Sequence, residues 1–375
     1  MTARLDDKID LRRPPLVRFG AGQLAGFADW VAERGFKRPF VVSDSFNAAR
    51  LVELGLGSVS VFGELRAEPD LAALAAARAA MQAVGPDLVI GFGGGSAMDL
   101  AKILAVLAGT DQPFDSISGL NRAPARRVGL AQIPTTAGTG SEVGTRALIT
   151  DPATLNKIST ESPHMLADIA IIDPVLTASV PPAVTAATGV DALAHCVEAY
   201  TSRRAHPVVD AYAIEGIRLI GRYLKRAVAD GGDLEARAGL SLAAFYGGVC
   251  LGPVNTTAGH AISYPLGTVF GIPHGVANAL VFPHTLAINA AAVPEKTAAI
   301  CAALGLRSTF GAELLQEATG FCAALGLAMR LSDHGVTQDA LPGMAEQAHA
   351  IRRLLDFNPL ALSAGDIEAI YRAAY

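Results

Sequence analysis

Three histidines and one aspartate have the types and settings to hold a divalent metal. In Thr188-Gly189-Val190-Asp191-Ala192-Leu193-Ala194-His195 a carboxylate and an imidazole lie four residues apart, so on a helix both emerge on one face, one turn apart. The same stretch also fits Thr188-x-x-Asp191, a capping pattern in which Asp191 merely satisfies helix-end amides, and taken alone the segment favours the cap. His260, in Ala258-Gly259-His260-Ala261-Ile262-Ser263-Tyr264, and His274, in Gly271-Ile272-Pro273-His274-Gly275, both sit in apolar surroundings rich in glycine and proline. One such histidine is usually a core residue with a satisfied hydrogen bond, but three together with an i, i+4 carboxylate point to ligation. His274 follows Pro273 at an expected helix start, where the dipole disfavours imidazolium and keeps the ring neutral for a metal. One carboxylate and three imidazoles suit Fe2+ or Zn2+, and the affinity order does not choose between them. His164, His206, His284, His334 and His349 lack such company and read as structural or surface residues.

A second chemistry is written in Asp87-Leu88-Val89-Ile90-Gly91-Phe92-Gly93-Gly94-Gly95-Ser96, which runs from an apolar strand through glycines into a helix opened by Ser96. Glycines let backbone amides approach an anion closely, and a helix N-terminus adds partial positive charge, so a pyrophosphate suits this turn. Lys102 is no Walker lysine, because GxxxxGK[ST] is absent. The dinucleotide fingerprint is imperfect as well: Gly91 and Gly93 supply GxG, but Ser96 holds the place of the last glycine. Asp44, just after the strand Pro39 to Val42, either accepts hydrogen bonds from an adenosine ribose, favouring NAD over NADP, or caps the next helix. After the strand Val128 to Gln132, four hydroxyls crowd Pro134-Thr135-Thr136-Ala137-Gly138-Thr139-Gly140-Ser141-Glu142. Thr135, Thr136, Thr139 and Ser141 could bond ribose, phosphate or carboxamide, or form an ordinary hydroxyl-rich turn. Two such loops at strand ends point to one shared crevice.

The elements that must position these groups follow from pattern and composition. The 375 residues exceed the size at which one core usually keeps growing, so two domains are expected. Short β-branched runs at Pro39 to Val42, Ser58 to Phe62, Asp87 to Phe92, Val128 to Gln132 and Asp168 to Ile172 alternate with Ala-rich stretches such as Asp70 to Val84. That punctuation predicts a parallel sheet. After Val180-Pro181-Pro182 the strand signal fades and helical windows dominate, among them Asp191 to Tyr200, Val208 to Arg226 and Leu234 to Tyr246. The expected organisation is an α/β dinucleotide-binding domain over 1–178 and a helical metal-binding domain over 179–375. Hydrophobic residues make up 51% against 17% charged, and the net charge is −5 with no basic run, which excludes disorder and argues against a nucleic-acid partner in favour of a small molecule. Cys196, Cys250, Cys301 and Cys322 form no CxxC pair and read as reduced thiols in a cytosol. The first ten residues, with Arg4, Asp6, Asp7, Lys8 and Asp10, lack the apolar centre of a signal peptide. The oiliest stretch, Val276 to Val293, holds Pro283, His284 and two asparagines and reads as buried helix and turn, so no membrane partner is expected.

Four motifs in this order resemble the iron-activated, or group III, alcohol dehydrogenase family of the dehydroquinate synthase-like superfamily. They are Gly93 to Lys102, Pro134 to Glu142, Gly189 to Tyr200, and His260 with Pro273-His274-Gly275. The resemblance implies an N-terminal nucleotide-binding domain, a C-terminal helical domain, cofactor and metal in the cleft between them, and a homodimer or larger. It implies Asp191, His195, His260 and His274 as metal ligands, and Gly94, Gly95 and Ser96 as the pyrophosphate loop. It further implies Asp99 near the nicotinamide, Thr135, Thr136, Thr139 and Lys157 as other cofactor contacts, and Asp44 at the position associated with NAD. The chain departs from the family pattern at three places. Tyr264 stands where a second histidine is frequent; it is the candidate proton-handling residue, although a phenol with a reference pKa of about 10 accepts protons less readily than imidazole. Ala67-Glu68-Pro69 replaces Pro-Asn-Pro, and Leu354-Leu355-Asp356-Phe357 replaces a Cys/Gly-rich loop before Asn358-Pro359, so a recut substrate pocket is expected. The activity implied is metal-assisted hydride transfer between a small alcohol and NAD, with its aldehyde or ketone as product. Maleylacetate reduction and a sugar-phosphate lyase reaction are the alternatives within the superfamily. Asp99 and Asp191 speak against the first, and the scarcity of Lys and Arg near the ligand motifs against the second. Arg146 is left between an anionic substrate and a surface ion pair.

Overall fold

The computed structural model describes residues 5–375, so Arg4 of the charged N-terminal run lies outside the described residues. The chain divides into two compact units. One comprises Arg12–Thr136 and Gly140–Ala178; the other comprises Ser179–Tyr375, Ala137–Thr139 and the N-terminal segment ending at Leu11. Two short pieces of the 1–178 stretch therefore group with the helices.

The first unit is built on a six-stranded sheet of β1 (Leu16–Phe19), β2 (Pro39–Val42), β3 (Ser60–Phe62), β4 (Leu88–Gly93), β6 (Gly129–Pro134) and β9 (Ile169–Ile172), in the order β1-β9-β6-β4-β2-β3. Every pairing in it is parallel. β2, β4, β6 and β9 are buried along their whole length, as continuous apolar runs covered on both faces must be. On one face α1 (Leu71–Val84) and α2 (Gly95–Leu107) bury Leu74, Ala77, Leu100 and Leu104 against Phe40, Val42 and Val89. On the other, Phe27, Trp30 and Val31 pack against Val41, Ile90, Ile133 and Ile171. Asp70 starts α1 by accepting from the Ala73 N–H, and Gly85, at φ 58°, ends it.

Of the five strands read, Pro39–Val42 starts where expected and the other four start one or two residues later, for a visible reason at two of them. Asp87 accepts from the Lys37 and Arg38 amides at 2.9 Å each, and Asp168 pairs with Arg126 at 2.9 Å while accepting from Leu130 N–H. These carboxylates tie off the strand mouths rather than joining the ladder. Edge strand β1 was not read from the pattern, nor was a small second sheet of β5 (Gly119–Leu120), β7 (Arg146–Asp151) and β8 (Asn156–Glu161). β7 and β8 form an antiparallel pair from Arg146↔Glu161 to Asp151↔Asn156.

The second unit opens with α3 (Pro182–Thr201), α4 (Pro207–Ala229), α5 (Leu234–Leu251), α6 (Ala258–Phe270) and α7 (His274–Asn289), followed by shorter helices. α3 is buried nearly all round, the pattern of a central helix. It carries Val190 and Leu193 into a core with Ile217, Ile220, Leu240 and Phe282. Pro182 begins it, where the missing N–H costs nothing. The helix therefore starts well before Thr188, and Asp191 sits in its interior; the capping reading of Thr188-x-x-Asp191 is overturned, because no orphan amides remain there to cap. Among the described residues no helix is long and apolar enough to cross a membrane. All four cysteines are buried and free.

Candidate functional site

In the helical unit three helices bring the four candidate ligands together. α3 supplies Asp191 and His195 from adjacent turns, α6 supplies His260 near its start, and α7 begins at His274. Glycines permit the approach of the last two. A Cβ at Gly275 would stand 2.7 Å from the Ala187 carbonyl oxygen of α3, and one at Gly259 would stand 2.6 Å from Glu198 Oε1. Asp191 Oδ1 lies 3.8 Å from His195 Nε2, 3.6 Å from His260 Nε2 and 3.5 Å from His274 Nε2. His195 Nε2 and His260 Nε2 are 3.0 Å apart. Four donors bonded at about 2.1 Å to a tetrahedral cation stand about 3.4 Å from one another, so these separations suit a shared divalent ion. Asp191, His195 and His260 are buried, whereas the His274 side chain is 23% exposed, which leaves one side of the set open.

The electrostatics of Asp191 and His195 agree with that donor set. Burial alone would raise the Asp191 carboxyl, but the three imidazoles around it hold it far below the ordinary carboxylate range. Burial pushes His195 down, toward the neutral ring that a metal requires. His260 is driven the other way, up to about 10, because Glu198 and Asp191 outweigh its burial.

Glu198 and Asn278 belong to this cluster and were missed as functional residues. Glu198 Oε1 lies 2.6 Å from His260 Nδ1, while its Oε2 accepts from Thr257 N–H at 2.5 Å, Thr257 Oγ1 at 3.2 Å and His260 N–H at 3.3 Å. A carboxylate there accepts a hydrogen bond from Nδ1–H, fixes the proton on that nitrogen and leaves the Nε2 lone pair for a cation. The signal was available: Asp191, His195 and Glu198 follow the i, i+4, i+7 stripe of one helix face. Asn278, one turn after His274, donates from Nδ2 to Asp191 Oδ1 at 2.6 Å and lies 3.2 Å from both His260 Nε2 and His274 Nε2. The Tyr264 ring stands 6.0 Å from that of His274 and 6.4 Å from that of His260.

In the sheet unit β4 turns into α2 through Gly93, at φ 156°, where a Cβ would meet Ala97 Cβ at 2.9 Å and Asp44 Oδ2 at 3.3 Å. The cradle admits only glycine, as close backbone approach to an anion demands. Gly94 adjoins Thr136, and Thr135 N–H donates to the Gly93 carbonyl at 3.0 Å, so both candidate loops meet at the end of β4. Asp44 does act as a helix cap, accepting from Asn47 N–H at 2.9 Å and from Asn47 Nδ2 at 2.7 Å, and it does so beside Gly93. Helix α2 starts at Gly95, one residue earlier than read, and Ser96 Oγ accepts from Glu68 N–H at 3.0 Å. Lys157 Nζ pairs with Glu68 Oε2 at 2.9 Å. Asp99 is committed to its own unit: it accepts from Ser141 Oγ at 2.5 Å and from Leu148 N–H at 2.9 Å, with buried Lys102 3.4 Å away. Lys102 in turn donates to Ser141 Oγ at 2.6 Å and to the Arg146 carbonyl at 2.7 Å. This network fixes the hydroxyl loop. Thr139 groups with the helical unit. Arg146 makes two bonds to Glu161 Oε2, at 3.0 and 2.7 Å, so of its two readings the ion pair is the one observed.

Comparison with known proteins agrees with both halves. Residues 14–174 match the family described as iron-containing alcohol dehydrogenase, and residues 185–375 match the C-terminal part of the Fe-containing alcohol dehydrogenase family. The chain is 37% identical to long-chain-alcohol dehydrogenase 1 of Geobacillus thermodenitrificans, over 96% of this chain and 95% of that one. Its fold is similar to a crystal structure of 1,3-propanediol oxidoreductase, with a TM-score of 0.92 at 30% identity over 98% of this chain and 100% of the other. It is also similar to sulfoacetaldehyde reductase from Bifidobacterium kashiwanohense in complex with NAD+, with a TM-score of 0.88 at 28% identity over 98% and 99%. The chain belongs to the iron-containing alcohol dehydrogenase family and is an oxidoreductase that interconverts alcohols with their carbonyl counterparts.

Proposed function

We propose that the chain interconverts a small alcohol and its aldehyde or ketone with NAD, using a divalent cation held by Asp191, His195, His260 and His274. The observation that carries the ligand assignment is the convergence of one carboxylate oxygen and three Nε2 atoms, from three helices, at separations of 3.0 to 3.8 Å. Fe2+ is favoured by the family's description and Zn2+ is equally compatible with the donor set. A bound divalent cation supplies Lewis-acid polarisation of the substrate oxygen, and NAD supplies the hydride-accepting nicotinamide. The protein's own contribution is positional. Glu198 holds the His260 proton on Nδ1, Asn278 steadies Asp191 Oδ1, and the buried flank of Asp191, His195 and His260 keeps water from all but the His274 side. Tyr264, buried with its ring 6.4 Å from that of His260 and 6.0 Å from that of His274, is the candidate for handling a proton.

For the dinucleotide, Gly94, Gly95 and Ser96 are assigned to the pyrophosphate and Asp44 to the adenosine ribose. Thr135, Thr136, Thr139, Asp99 and Lys157 complete the assignment, with Asp99 acting through the hydroxyl loop it anchors. The NAD+ complex of the similar sulfoacetaldehyde reductase supports NAD over NADP, as does a carboxylate at Asp44. A homodimer in the cytosol is the expected setting, and four buried free thiols are consistent with it. The relatives named above act on long-chain alcohols, 1,3-propanediol and sulfoacetaldehyde, so kinship alone leaves the substrate open.

The test is metal stripping. Protein treated with chelator should lose NAD-linked turnover and regain it with Fe2+ or Zn2+, and His195→Ala and His274→Ala should lose bound metal and turnover together. Retained metal and turnover in either variant refutes the ligand assignment.

A further inference from the structure

Just before Leu354 to Phe357, where this chain departs from its family's pattern, the chain places an arginine beside the candidate site. The short helix Arg352–Leu355 buries Leu354 and Leu355 and packs on α6, the helix that carries His260 and Tyr264. Its two arginines differ. Arg352 is exposed and engaged by Asp356 and His349. Arg353 is half-buried, and its guanidinium carbon lies 5.7 Å from the centre of the Tyr264 ring, within cation–π range. Among the described residues no carboxylate stands within ion-pair distance of Arg353. Tyr264 in turn faces His274, the open member of the ligand set, with ring centres 6.0 Å apart and 8% of the tyrosine exposed. A single aromatic ring therefore separates a cation without a carboxylate partner from the candidate metal ligands. A guanidinium offers a planar fork of donors suited to an oxyanion, and stacking on Tyr264 holds that fork in a fixed direction at little entropic cost. Arg146, the basic residue singled out from the sequence, is already satisfied by Glu161.

We propose that Arg353 recognises an anionic head group on the substrate, so that the preferred substrates are short-chain aldehydes, and the corresponding alcohols, bearing a carboxylate or sulfonate. This rests on the reading of Asp191, His195, His260 and His274 as the reaction centre. In the reducing direction hydride from NADH adds to the carbonyl carbon, a solvent-derived proton reaches the oxygen, and NAD+ is released; the head group is unchanged and only binds. Its role is orientation and affinity.

The experiment uses the full-length, metal-loaded protein and follows NADH oxidation with succinic semialdehyde, sulfoacetaldehyde, butanal and propanal. Wild type should show kcat/KM at least about tenfold higher for an anionic aldehyde than for its neutral counterpart, and the two anionic arms show whether carboxylate or sulfonate is preferred. Arg353→Gln should lower that anionic-to-neutral ratio by about tenfold, to near one, mostly through KM, with Arg353→Lys in between. As a readout apart from turnover, propionate and methanesulfonate should show binding to wild type by isothermal titration calorimetry and none to Arg353→Gln. Equal use of neutral and anionic aldehydes by wild type overturns the proposal, as does a ratio unmoved by Arg353→Gln, while leaving the dehydrogenase reading intact. Absence of turnover with all four aldehydes overturns the parent reading and this proposal with it.

Discussion

Replacing Glu198 with glutamine removes one charge and almost no volume, and its consequences for metal binding follow from the surrounding donors. Glu198 faces donors on both oxygens: His260 Nδ1 at Oε1, and the Thr257 and His260 amides at Oε2. A glutamine at this position has two orientations. With its amide NH2 at the Oε2 position it opposes two backbone N–H groups; with NH2 at the Oε1 position it donates to His260 Nδ1 and forces the proton onto Nε2, where the metal lone pair is needed. Either orientation weakens the site. Loss of such an outer hydrogen bond costs about 10–100-fold in metal affinity, equivalent to about 1.4–2.8 kcal/mol. The assay is competition for Zn2+ or Co2+ against a chromophoric chelator, with the visible spectrum of the Co2+ form as a check on coordination. Glu198→Ala should additionally lower the melting temperature of metal-free protein, because the Thr257 and His260 amides are left without an acceptor at about 1–3 kcal/mol each. If Glu198→Gln binds Co2+ with wild-type affinity and an unchanged spectrum, the assignment of His260 as an Nε2 ligand oriented by Glu198 is wrong.

Three further outcomes are expected. Gly275→Ala drives a Cβ to within 2.7 Å of the Ala187 carbonyl oxygen, so α7 must retreat from α3; metal affinity should fall more than about tenfold by the same competition assay while helix content by circular dichroism is unchanged. Gly93→Ala strains a backbone at φ 156° and crowds Ala97, costing about 1–3 kcal/mol of stability, and the rise in melting temperature that NAD confers on wild type should disappear. Glu142 is buried, and desolvation lifts its pKa from 4.5 to about 7. The folded state then keeps a proton that the unfolded chain releases, so stability is lost as pH rises between those values, by up to about 3 kcal/mol. Glu142→Gln should therefore gain stability relative to wild type between pH 5 and pH 8 in urea titrations; a constant difference across that range contradicts the burial argument.

What the sequence disclosed was whatever periodicity and turn chemistry encode locally. The doubly covered strands of the sheet are continuous apolar runs, and α1 carries its own start and stop in Asp70 and Gly85. The edges were illegible for the complementary reason. β1 has one neighbour and half-exposed residues, and β7 and β8 alternate weakly around a turn whose left-handed residue is Leu155 rather than glycine, so neither the pattern nor the turn announced a hairpin. Asp44 was read both as a cap and as a ribose acid; its capping bonds are local and visible, whereas the other role depends on a partner the chain does not encode.

The candidate metal site shows the same division inside a few ångströms. Asp191 and His195 share a helix, so their pairing was legible from spacing, and the capping alternative fell only because α3 begins at Pro182. Glu198 lies on that same stripe and was passed over, since a buried glutamate declares its function only through its partner, and His260 lies 62 residues away. Gly259 and Gly275 stand out in the sequence only as part of the glycine- and proline-rich setting of His260 and His274, yet each stands where any side chain would push a ligand-bearing helix start off α3. Positioning groups of this kind act through tertiary contacts, so a motif can name the donors to a cation while the residues that make those donors converge stay silent until the helices are packed. Arg353 is the extreme case: on sequence it is one of two adjacent arginines, and only the pairing of Arg352 with Asp356 and the stacking of Arg353 on Tyr264 separate the solvated one from the one aimed at the candidate ligands.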